Sequence, residues 1–269
     1  MPRKHLWHFC YDGFSIMIGL GKVFMIQLFQ FPISHYCEKV RWALDHKGIP
    51  YRIVNVLPGF HRQTIGKLAP KTCVPVLCDD ELVVQDSTAI INYLDARYPN
   101  PPLTPGDPDA SRKALEWEEY LDEEIGVTLR LWFYYHLLPD HRLALKFLLK
   151  DAPAHEQPHF MLAYPEISQA MIRHMNISAE TASQSEQRLC AAFDRLDEAL
   201  DGRSFLVEDR FSRADLTACA LLSPCCLRED REFPAAALNF RTGLKERRFY
   251  RWVRTVYDSH RRCSTGGQA

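Results

Sequence analysis

The chain has 269 residues with 46% hydrophobic and 25% charged side chains, which suits two ordinary domains with substantial cores better than one small one. Its 33 basic and 34 acidic residues nearly cancel, so there is no bulk attraction to nucleic acid or to an anionic membrane. Nine cysteines without paired zinc-type spacing point to free thiols in a reducing cytoplasm rather than to disulfide staples or a metal.

Residues 1–22 open on a basic start followed by FSIMIGLG, which mimics a signal peptide. The apolar run is short and is approached through His8 and Asp12, and a membrane span takes about 20 apolar residues. These residues are therefore read as an N-terminal extension. From residue 23, VFMIQLF predicts a strand buried on both faces. Pro32 breaks it, and Cys37, Val40 and Leu44 recur at helical spacing until Gly48-Ile49-Pro50 stops the helix. YRIVNV (51–56) reads as a second strand. VPVLC and LVV flank Asp79-Asp80-Glu81 as a hairpin, and a helix follows over 88–98. The order is β-α-β, a connection, then β-β-α, giving a first domain over 23–98.

Residues 99–109 carry prolines 99, 101, 102, 105 and 108 and read as an extended linker. Beyond them, 110–263 reads as all helical, with residues 264–269 as a tail. One long amphipathic run starts near Ser111 and is stopped by Pro139. Shorter helices are expected at RLALKFLLK, YPEISQAMIRHM, SEQRLCAAFDRLDEALDG and in the basic, aromatic tail from 244. Within 139–180, Phe147, Leu148, Leu149, Phe160, Met161, Tyr164 and Met171 are read mainly as a core stripe, with a pocket lining as the alternative.

Three short stretches carry chemistry. In FPISHYCEKVRWAL, Ser34 stands just before a helix, where unpaired backbone N–H groups favour an anion. A cysteine there would be a nucleophile, whereas a serine hydroxyl donates a hydrogen bond to a thiolate supplied by a ligand. A plain N-cap is the competing reading. In CVPVL, Pro75 heads a strand, and a cis Val74–Pro75 bond would expose the Val74 backbone to a peptide-like ligand. In VVQDSTAI, Asp86 and Ser87 sit between strand and helix, a place suited to a carboxylate and equally to simple capping.

Taken together, in this order and spacing, these stretches resemble the glutathione transferase superfamily from 23 to about 260. The matching residues are Ser34, Cys37, Lys39, Val40, Arg41, Ala43 and Leu44, then Val74, Pro75 and Leu77, then Asp86, Ser87, Ala89 and Ile90. In the second half, FSRADLTACALL is similar to the family's helical-domain signature, with Ser212 and Asp215 as a capping box. The resemblance implies a thioredoxin-like N-terminal domain and an all-α C-terminal domain, with glutathione as co-substrate and no metal. It further implies that Ser34 stabilises the glutathione thiolate, Val74 with Pro75 holds the cysteinyl backbone, and Asp86 with Ser87 holds the γ-glutamyl end. Lys71 is the candidate for the glycyl carboxylate, against a solvated surface role. The expected activity is conjugation of the thiolate to a small hydrophobic electrophile by a cytoplasmic homodimer. Thr72 departs from the glycine that relatives commonly carry ahead of the residue before V-P. The alternatives are a thiol transferase using Cys37 and a non-catalytic binding module of the same fold.

Overall fold

The computed structural model describes residues 25–227 and 232–261. The expected extension over 1–22, the tail after 263, Cys10 and the first two residues of the expected first strand lie outside them.

A four-stranded sheet comes first, in the order β2-β1-β3-β4. Strand β1 (Ile26–Gln30) is central, pairing in parallel with β2 (Tyr51–Asn55) and antiparallel with β3 (Val76–Asp79). Strand β4 (Leu82–Gln85) closes the hairpin with β3, and Asp80 takes the positive φ of 55° that this tight turn needs. Parallel pairing requires a crossover, which helix α1 (His35–His46) supplies. Helix α2 (His61–Ile65) and helix α3 (Ser87–Arg97) complete this half.

Strand β1 was expected to be buried on both faces, but burial alternates: Ile26, Leu28 and Gln30 are covered while Gln27 and Phe29 are only half so. The cause is the unequal cover on the two faces. Ile26, Leu28 and Leu77 pack with Val40 of α1 and Ile90 and Leu94 of α3 in the main core. On the other face Phe29 and Val76 meet only a small cluster around Ile65 of the short α2.

Among the described residues eight α-helices follow: α4 (Pro108–Leu121), α5 (Thr128–Leu137), α6 (His141–Leu148), α7 (Gln157–His174), α8 (Ala179–Ala199), α9 (Arg213–Cys226), α10 (Ala235–Leu244) and α11 (Arg248–His260). The long run expected up to Pro139 is not one regular helix. A π-helical turn, Asp122–Val127, separates α4 from α5. Helix α7 begins well before the expected YPEISQAMIRHM and carries Pro165 inside it. Helices α2 and α10 went unread in the sequence.

Helix α9 is the hub, buried at every residue from Arg213 to Ser223, as a helix apolar or paired all round must be. Its start is the expected capping box: Ser212 N and Oγ both donate to Asp215 Oδ2, at 2.9 and 3.0 Å, while Leu206 N donates to Oδ1 at 2.7 Å. Helix α1 packs between the sheet and α9 and buries almost its whole length, charged residues included. Each charge is met. Lys39 Nζ lies 2.6 Å from Glu118 Oε1 and 2.7 Å from Asp122 Oδ2, and Arg213 also pairs with Glu118. Glu38 Oε1 accepts from Tyr257 Oη at 2.5 Å and from Arg261 Nε at 2.8 Å, and Trp42 Nε1 donates to the His260 carbonyl at 3.2 Å.

Candidate active site

Ser34 is held by the geometry of a helix start. Its backbone is extended (φ −75°, ψ 126°), and its Oγ accepts from Cys37 N at 3.3 Å. The hydroxyl thus caps α1, and Ser34 also lines a cavity of 470 Å³. That volume is in the range of small-molecule sites. The first half contributes Phe31, Ser34, His35 and Tyr36, the loop Pro58-Gly59 with His61, and Thr72-Cys73-Val74. The opposite wall is α5 from Leu129 to Tyr134, backed by Phe147, Met171, His174, Met175, Phe233 and Phe240.

The Val74–Pro75 bond is cis. Val74 lines the cavity, and Pro75 is buried behind it. Asp86 and Ser87 stand at the head of α3, outside the lining. Asp86 holds φ 89°, a region costly for a residue with a Cβ, and its carboxylate accepts from Thr88 N and Ala89 N, both at 3.0 Å. Ser87 is buried. Lys71 is exposed and is not part of the lining; its backbone N–H donates to Gln85 Oε1 at 3.2 Å and its carbonyl accepts from Gln85 Nε2 at 2.5 Å. Thr72, the departure from the family pattern, lends its carbonyl to His61 Nε2 at 2.8 Å, which ties α2 to this loop.

Cys37 is fully buried, and burial raises its thiol pKa against the opposing pull of Arg41 and the Ser34 hydroxyl. A thiol held neutral and out of reach of solvent is a poor nucleophile. The expected core stripe of 139–180 divides: Leu148, Phe160 and Tyr164 are core, Phe147 and Met171 line the cavity, and Met161 is exposed.

Two neighbours of Ser34 shape the site. Tyr36 Oη donates to the Asp122 carbonyl at 2.7 Å in the π-helical turn, where Gly126 makes room for it. A Cβ at position 126 would lie 2.6 Å from Tyr36 Cζ and closer still to Oη. His35 lies against the same turn. Desolvation first, and the charge of Arg130 second, lower its pKa to about 3, so it is neutral at ordinary pH. Its Nε2 is buried without a partner. The α5 residues and His61 were not anticipated from the sequence. The one available signal was the aromatic density of LRLWFYYH, which a core helix shows equally.

The comparisons with known proteins agree with this fold. The chain matches the family profiles of the glutathione S-transferase N-terminal domain over 28–102 and of its C-terminal domain over 142–257. It belongs to the glutathione transferase superfamily. Glutathione S-transferase 1 of Dianthus caryophyllus is 32% identical over 146 residues, covering 46% of this chain and 65% of the relative. A stringent starvation protein A homolog of Haemophilus ducreyi is 36% identical over 88 residues, 33% of this chain and 41% of the relative. The chain thus spans less than two thirds of the length of these curated relatives. A solved glutathione S-transferase of Methylobacterium radiotolerans, in complex with glutathione sulfonate, shares the fold with a TM-score of 0.56 at 20% identity, over 91% of this chain and 99% of that one. Among the described residues, no helix is long and apolar enough to cross a membrane, and no cluster of side chains suits a metal ion.

Proposed function

We propose that this transferase-family chain binds glutathione and conjugates its thiolate to a small hydrophobic electrophile. The observation that carries the reading is Ser34: its oxygen is fixed by the Cys37 N–H at the start of α1, and the residue lines a cavity together with Val74. In this reading the glutathione sulfur sits beside that hydroxyl, which donates to it, while the N-terminal amides of α1 add a favourable field. The thiol ionises at near-neutral pH, and the thiolate attacks an electrophile held against the aromatic wall of α5. The Val74 backbone takes the cysteinyl unit, Asp86 and Ser87 the γ-glutamyl end, and Lys71 the glycyl carboxylate. The strained backbone of Asp86 supports a functional rather than a merely structural position at the head of α3.

The co-substrate is the one in the name of the solved relative bound to glutathione sulfonate. The sealed, neutral thiol of Cys37 weighs against the thiol-transfer reading. The second reading is a docking module of the same fold without chemistry. Retention on immobilised glutathione together with turnover of a generic aryl halide supports the transferase. Failure of both would hand the chain to the docking reading.

A further inference from the structure

We propose that the electrophile is an aromatic acid, its carboxylate paired with Arg130 and its ring laid against the aromatic wall of α5. This rests on the transferase reading and narrows its substrate class. Arg130 lines the cavity from α5 with its guanidinium 5.8 Å from the centroid of the Tyr36 ring. Arg130 is itself exposed to solvent, and its charge acts on His35 and Tyr134. Among the described residues, no carboxylate belongs to the lining and no ion pair engages Arg130. The carboxylates that act on Tyr36, those of Asp122, Glu123 and Asp86, stand outside the lining. A guanidinium over the Tyr36 ring, in a cavity also lined by Trp132, Phe133 and Tyr134 and with no acid to neutralise it, matches a planar carboxylate on an apolar body. Glutathione is not the expected owner of this cation, because its proposed contacts all lie on the thioredoxin-like half while Arg130 projects from the helical half.

The test compares a para-chloro, meta-nitro benzoate with its uncharged amide. In either reaction the glutathione sulfur forms a bond to the ring carbon bearing chlorine, that carbon–chlorine bond breaks, and chloride leaves with the electron pair. The carboxylate is unchanged. The wild type is expected to favour the acid by about tenfold to hundredfold in kcat/KM, the range of a charge-assisted pair. Arg130→Gln should erase that preference through KM for the acid, Arg130→Lys should restore part of it, and added salt should erode it. Equal use of acid and amide by the wild type overturns the proposal. So does an Arg130→Gln variant that raises KM for glutathione and leaves the acid-to-amide ratio intact. If neither compound turns over, the transferase reading fails, and calorimetric binding of the two compounds decides the cation's role alone. Tighter binding of the acid, lost in Arg130→Gln, upholds it; equal binding ends it.

Discussion

Lys39 Nζ lies 2.6 Å from Glu118 Oε1, and both side chains are closed to solvent. The pair joins α1, which carries Ser34, to α4 of the helical half, and Arg213 and Asp122 complete the cluster. Two charges removed from water are tolerable only while each has its partner.

Breaking that pair on one side should therefore be severe. Glu118→Ala leaves the Lys39 and Arg213 charges buried with too little compensation, and a loss of about 3–5 kcal/mol is expected. Urea unfolding monitored by circular dichroism measures it. The double change Lys39→Met with Glu118→Leu should lose less than the sum of the single changes, and strict additivity would refute the coupling.

Ser34→Ala should separate chemistry from folding. The helix loses its cap, worth about 1 kcal/mol, while turnover with glutathione falls about a hundredfold or more, the scale for losing one donor to a developing anion. Cys37→Ser should keep most of the activity. Steady-state kinetics of the two variants side by side decide the matter, and the reverse pattern would reinstate the thiol-transfer alternative.

Gly126→Ala should displace Tyr36, since the added methyl overlaps its phenol. Crowding of this kind destabilises by about 1–3 kcal/mol, and the displaced ring should also raise KM for the electrophile. Tyr36→Phe removes only the bond to the Asp122 carbonyl, about 1 kcal/mol. A melting temperature for Gly126→Ala equal to that of the wild type would show that the turn yields freely.

Acid should loosen the grip of α11 on α1. Burial opposes ionisation of Glu38, but Arg41, Arg261 and Tyr257 together hold its carboxyl at about 2, below the ordinary 4.5. The folded state thus binds the proton more weakly than the unfolded chain. The stabilisation is whole above about pH 4.5 and drains away as the pH falls toward 2. Denaturation free energies across that window should decline in the wild type, and more gently in Glu38→Gln.

The regular elements were legible because their signals are local. Pro32, Gly48 and the Asp79-Asp80-Glu81 turn punctuate α1 and the hairpin wherever the rest of the chain goes, and Ser212 with Asp215 announces α9. Of the site, Ser34 and Val74 could be named because each rests on a neighbour one to three residues away. The helical wall could not. The π-helical turn adds to the helical repeat and rotates α5 relative to α4, so counting forward from Leu115 and Leu121 does not say which way Arg130 and Phe133 face. That turn in turn accommodates Tyr36, some ninety positions upstream, a contact with no trace in local periodicity. Helix α2 escaped notice because five residues complete little more than one turn.

Helix α1 is clasped from two sides by residues far along the chain, Glu118 on one and Arg261 on the other. A hybrid joining this first half to a foreign second half would inherit a line of orphaned charges beside Ser34 unless it imported both residues together with Arg213 and Tyr257. The two halves are thus less interchangeable than their separate folds suggest, and substrate range is better redesigned by altering the wall of α5 than by exchanging whole modules.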